Sequence, residues 1–120
     1  MQKSQHVVLV EDDAALREIF EELLQEHSSF IEQASTGEEA LKLILRAEPP
    51  RLVISDLKLP HMSGIALLEI IKNEKIKTKF LAITADNELG AKARELGADE
   101  VLIKPFNIRD FSLSLEKYLS

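Results

Sequence analysis

A chain of 120 residues fits one compact domain, and a hydrophobic share of 45% beside 30% charged residues is the balance of a globular protein with a real core. The absence of cysteine excludes disulfide frameworks, thiolate metal sites and cysteine nucleophiles together. A net charge of -6 argues against gripping a phosphate backbone, and no apolar run approaches the roughly 18 residues needed to span a bilayer, so the expectation is a cytoplasmic chain with no direct nucleic-acid or membrane contact.

Val7 to Val10 is a short, wholly apolar run of strand character that stops at Glu11, Asp12 and Asp13. From Ala14 the period changes to that of a helix, with Leu16, Ile19, Phe20, Leu23 and Leu24 on one face and Arg17, Glu18, Glu21 and Glu22 between them. Phe30 to Ala34 reads as a weaker strand. Ser35, Thr36 and Gly37 then supply turn and cap chemistry before a helix carrying Ala40, Leu41, Ile44 and Leu45, closed by Pro49 and Pro50.

Leu52 to Ser55 is a third buried strand stopping at Asp56, and a loop with Pro60, Ser63 and Gly64 leads into a helix with Ile65, Leu68 and Ile71. Phe80 to Ile83 stops at Thr84. A thin, alanine-rich helix from Asn87 to Leu96, expected to be mobile, ends at Gly97, which has the freedom a left-handed stop requires. Val101 to Ile103 stops at Lys104 and Pro105, and a last helix runs from Asn107 to Leu119. Of its surroundings, Phe106, Ile108 and Phe111 are expected to face the core.

Strands alternating with amphipathic helices predict a single α/β domain over residues 1–120, a doubly wound five-stranded parallel sheet of order 2-1-3-4-5 in a flavodoxin-like three-layer sandwich. In such a sheet the strand stops lie along one edge, so Asp12, Asp13, Asp56, Thr84 and Lys104 converge. Carboxylates about 5 Å apart repel by roughly 3 kcal/mol per pair at an effective dielectric of about 20, so the cluster calls for a cation. Oxygen ligands without a neighbouring histidine or cysteine select a hard ion, Mg²⁺ above all. Asp56, on the central strand, is placed to be a nucleophile that takes a phosphoryl group, Lys104 to neutralise the charge in transfer, and Thr84 to donate its hydroxyl to a phosphate oxygen.

These residues resemble a known family. The acidic pair after strand one, the stretch Asp56 to Gly64 with Pro60 and Gly64 at their spacing, Thr84-Ala85 and Lys104-Pro105-Phe106 are similar to the receiver domain of two-component response regulators. The resemblance implies that Asp56 is the phosphoacceptor. It also implies that Asp13, Asp56 and the backbone carbonyl of Lys58 coordinate Mg²⁺, that Asp12 acts through a metal-bound water, and that the Lys104–Pro105 bond is cis. The implied partners are a sensor histidine kinase or phosphotransfer protein and a downstream protein or fused output domain, with a phosphorylation-dependent dimer as a further option.

Val101 stands where many members carry an aromatic switch residue. Lys58, two places after Asp56, and Asp86, two after Thr84, are placed to form a partial lid that slows water attack. The rival readings are an aspartyl-phosphate phosphatase or phosphotransferase on a similar sheet, which usually has a second carboxylate where Lys58 stands, and a degenerate receiver acting by binding alone. A non-enzymatic signalling module is the expectation.

Taken singly the residues have plainer readings. Asp12 and Asp13 serve equally as N-caps. His6, His27 and His61 read as solvated, and Lys72, Lys75, Lys77 and Lys79 as a solvated turn. Leu89, Ala93 and Val101 are the expected source of a modest apolar partner surface.

Overall fold

The computed structural model describes residues 5–46 and 48–119. Strand β1 (Val7–Val10) is followed by α1 (Ala14–Leu24), β2 (Ile31–Ala34), α2 (Gly37–Ile44), β3 (Leu52–Asp56), α3 (Gly64–Asn73), β4 (Lys79–Thr84), α4 (Asn87–Glu95), β5 (Glu100–Ile103) and α5 (Ile108–Leu119). The strands form one parallel sheet in the order β2-β1-β3-β4-β5, so the chain reverses direction of growth between β1 and β3. That reversal opens a crevice outside the carboxyl ends of those two strands.

Strand periodicity divides the core between the two faces. Val8, Val10 and Val53 pack with Ala40, Ile44, Leu67, Leu68, Ile71 and Phe80 on the side of α2, α3 and α4. Val7, Leu9, Leu52 and Ile54 pack with Phe20, Leu24, Phe111 and Leu115 on the side of α1 and α5. Both faces are covered, which is why β1 and β3 are apolar at successive positions instead of alternating.

Side-chain caps fix where all five helices begin, Asn107 Oδ1 serving α5 by accepting from Asp110 N–H at 2.8 Å. Asp13, Thr36, Ser63 and Asp86 each accept from backbone N–H groups in the first turn of α1, α2, α3 and α4, at 2.9 to 3.1 Å. Gly64 opens α3 where a Cβ would stand 2.4 Å from the carbonyl oxygen of Asp56, so only glycine lets this helix start against the end of β3. No helix among the described residues is long and apolar enough to cross a membrane.

Several side-chain expectations are corrected. Ile108 is 64% exposed; Phe106 and Phe111 do turn inward, stacking near Phe20 with ring centroids 5.3 to 6.3 Å apart. Ala93 and Val101 are buried against the core instead of forming a partner surface, because α4 is short and seats its small face closely on β4 and β5. His6 is buried, stacked on Phe30 and 2.7 Å from Glu32 Oε1, because its backbone leads directly into a central strand.

Candidate functional site

Asp56 ends β3 and Lys104 follows β5, and the two meet across the intervening strand. Lys104 Nζ lies 3.0 Å from Asp56 Oδ2, while the backbone N–H of Lys58 donates to Oδ1 at 2.8 Å. Both carboxylate oxygens are therefore held, and Asp56 is only 8% exposed. The loops carrying these residues are pinned by backbone bonds: Leu57 N–H donates to Ile83 O at 3.0 Å and Lys104 N–H to Thr84 O at 2.8 Å. The Lys104–Pro105 bond is cis.

Thr84 ends β4, buried, and its hydroxyl oxygen accepts from the backbone N–H of Asp86 at 3.1 Å. Asp86 in turn caps α4 and stands 3.9 Å from Lys58 Nζ. With the Lys58 and Asp86 side chains 68% and 36% exposed, that pair is loose and solvent-screened.

The acidic end of β1 is arranged differently from expectation. Asp13 is exposed and its Oδ1 is taken by the N–H groups of Ala15 and Leu16, at 2.9 and 3.1 Å, so it serves the start of α1. Glu11 holds the inner position: it is 2% exposed, its Oε2 accepts from Asp13 N–H at 3.1 Å, and its Oε1 has no hydrogen-bond partner among the described residues. Burial first, and then the nearby charge of Asp56 and the adjoining Asp12 carboxyl, push its carboxyl up to about 7, against the pull of the Asp13 N–H and of Lys104. Asp12 lies beside it, exposed.

Glu11 was absent from the residues expected to act. The signal was present in its position, first after a fully buried strand, where a side chain has no route to bulk water. Arg17 reinforces the corner, its Nη1 donating to Glu11 O at 2.6 Å and its Nε to Gln33 Oε1 at 3.0 Å.

Among the described residues no three carboxylate or imidazole groups close on one point as a ready-made metal cage. The donor chemistry still fits a hard cation. Every candidate ligand is an oxygen, and Glu11 Oε1 is a buried acceptor without a donor. Magnesium in particular requires only one or two protein carboxylates, since it keeps much of its water.

Residues 7–116 match the family model described as the response regulator receiver domain. The probable C4-dicarboxylate response regulator DctR of Priestia megaterium is 33% identical over 122 residues, covering 98% of this chain and 53% of that protein. The chain thus spans about half the length of that relative. The probable chemotaxis protein CheY of Rhizobium etli is 35% identical over 116 residues, covering 92% of this chain and 88% of that one. The structure of the chemotaxis response regulator CheY4 of Vibrio cholerae superposes with a TM-score of 0.84 at 26% identity, covering 98% of this chain and all of that one. The chain belongs to the receiver domains of two-component response regulators, a family of phosphorelay signalling modules.

Proposed function

We propose that Asp56 accepts a phosphoryl group from the phosphohistidine of a kinase or phosphotransfer protein, and that the modified domain signals by altering a partner surface. An oxygen of Asp56 forms the new bond to phosphorus, the bond from phosphorus to the imidazole nitrogen breaks, and the histidine keeps that electron pair. The observation that carries the reading is the buried Asp56 carboxylate with the Lys104 ammonium 3.0 Å away. Phosphoryl transfer needs a fixed nucleophile and a counter-charge for the moving oxygens more than it needs acid-base groups.

Mg²⁺, when bound, neutralises charge on the phosphoryl oxygens and relieves the repulsion among the carboxylates. Glu11, Asp12, Asp56 and the carbonyl of Lys58 are the groups suited to hold it. Asp12 takes the role expected of Asp13, because Asp13 already spends one oxygen on two N–H groups of α1. After transfer, an added charge of about -1.5 to -2 attracts the Thr84 hydroxyl. Lys58, where phosphatases on similar sheets place a carboxylic acid, offers no proton donor of that kind and speaks against a phosphatase.

Incubation with acetyl phosphate and Mg²⁺ tests the reading by intact mass. One phosphoryl adduct is expected, absent from Asp56→Asn and from magnesium-free samples; an adduct that survives Asp56→Asn refutes the assignment.

A further inference from the structure

Four cations gather at the end of the sheet opposite Asp56. A cleft of about 460 Å³ is lined by Arg51, Lys77, Thr78, Lys79, Lys117 and Tyr118, at the starts of β3 and β4 and the end of α5. Arg51 and Lys79 are fixed as neighbours, since Lys79 N–H donates to Arg51 O at 3.1 Å. Arg51 is further anchored by its Nε, 2.8 Å from Tyr118 O.

The lysines of the cleft are only loosely paired. Lys79 reaches Asp99 only at 3.7 Å and Lys117 reaches Glu100 only at 3.8 Å, with the lysine side chains 58% and 66% exposed. Lys77 makes no ion pair among the described residues. In a chain of net charge -6, this concentration of like charge in a concave surface is the local exception. One wall is aromatic and rigid: the Tyr118 hydroxyl donates to Asp99 O at 2.9 Å, and Lys117 Nζ stands 5.4 Å from the ring centroid.

We propose that this cleft is a binding site for a small organic phosphate, separate from the phosphoacceptor site. Lysine ammonium groups take phosphate oxygens as point charges, the Thr78 hydroxyl adds a neutral donor, and the Tyr118 ring gives the organic part an apolar wall. The volume is in the range of small-molecule sites. The inference is independent of phosphoryl transfer at Asp56.

The test follows backbone amide shifts by NMR in metal-free buffer as inorganic pyrophosphate or ATP is added, with citrate as a carboxylate control. Expected are saturable shifts at Lys77, Thr78, Lys79 and Tyr118, tighter for ATP than for pyrophosphate and weak for citrate, unchanged in Asp56→Asn. Lys77→Glu, an exposed change that leaves the core untouched, should weaken binding by about tenfold. Non-saturating shifts, an equal response to citrate, or loss of binding in Asp56→Asn would each overturn the proposal.

Discussion

At the carboxyl ends of the strands Lys104 meets Asp56 at 3.0 Å and Glu11 lies 2% exposed, whereas at the amino ends Lys79 and Lys117 stand 3.7 and 3.8 Å from their acids with most of each side chain in water. The same five strands frame both places. What separates them is the connection: at the carboxyl ends, loops fold back over Asp56 and Glu11 and strip water from these two carboxyls, while at the amino ends the turns leave it in place. Charge at one end is therefore costly and directional, and at the other cheap and screened.

Substitutions should reproduce that contrast in order of size. Gly64→Ala, which drives a Cβ into the Asp56 carbonyl and to 2.7 Å from Leu57 Cα, should destabilise by roughly 3 kcal/mol in urea unfolding, because backbone on both sides cannot yield. A loss below about 1 kcal/mol would mean that the loop behind Asp56 is not rigid.

Glu11 gives the next effect, and its sign is opposite to that of an ordinary paired carboxylate. Its carboxyl releases its proton near 4.5 when unfolded and at about 7 when folded, so the folded state binds more protons between those values. The metal-free domain should lose stability as pH rises through that window, by at most about 3 kcal/mol, and then level off. Glu11→Gln should remove that share of the slope, as read from unfolding midpoints at pH 5 and pH 7.5; identical slopes in the two proteins would show that Glu11 is ionised throughout.

Smallest of all should be the stability changes in Lys58→Ala and Lys117→Ala, each below about 1 kcal/mol, since both lysines form long, exposed pairs. The two variants should part in rate. Lys58→Ala is expected to shorten the lifetime of the phosphorylated domain by opening the mouth of the site, and Lys117→Ala to leave it alone. Equal lifetimes in the two variants would remove Lys58 from any shielding role.

The fold was legible because each strand is a short apolar run and each helix a periodic one, and the strand stops at Asp56, Thr84 and Lys104 marked their places along one edge. Periodicity does not say which of three consecutive acids turns inward. The cap rule held the answer for Asp13, immediately before the first helical residue, while Glu11 was hidden because it reads as the mere end of a strand. Ile108 was misassigned because an apolar residue at a helix start has no periodic partner before it to fix its face. The apolar surface expected around α4 lies instead between α1 and α5, where Ile19 is 51% exposed beside Phe106 and Ile108.

The bond from Asp86 N–H to the Thr84 oxygen has a consequence for how the domain is observed. A hydroxyl can donate its hydrogen to a new anion and keep accepting at oxygen, so turning the O–H alone leaves the Asp86 amide undisturbed. Swinging the whole side chain withdraws the acceptor and sets that amide proton loose at the threshold of α4. A single resonance, that of Asp86, is thus a built-in gauge that separates a polarised threonine from a relocated one.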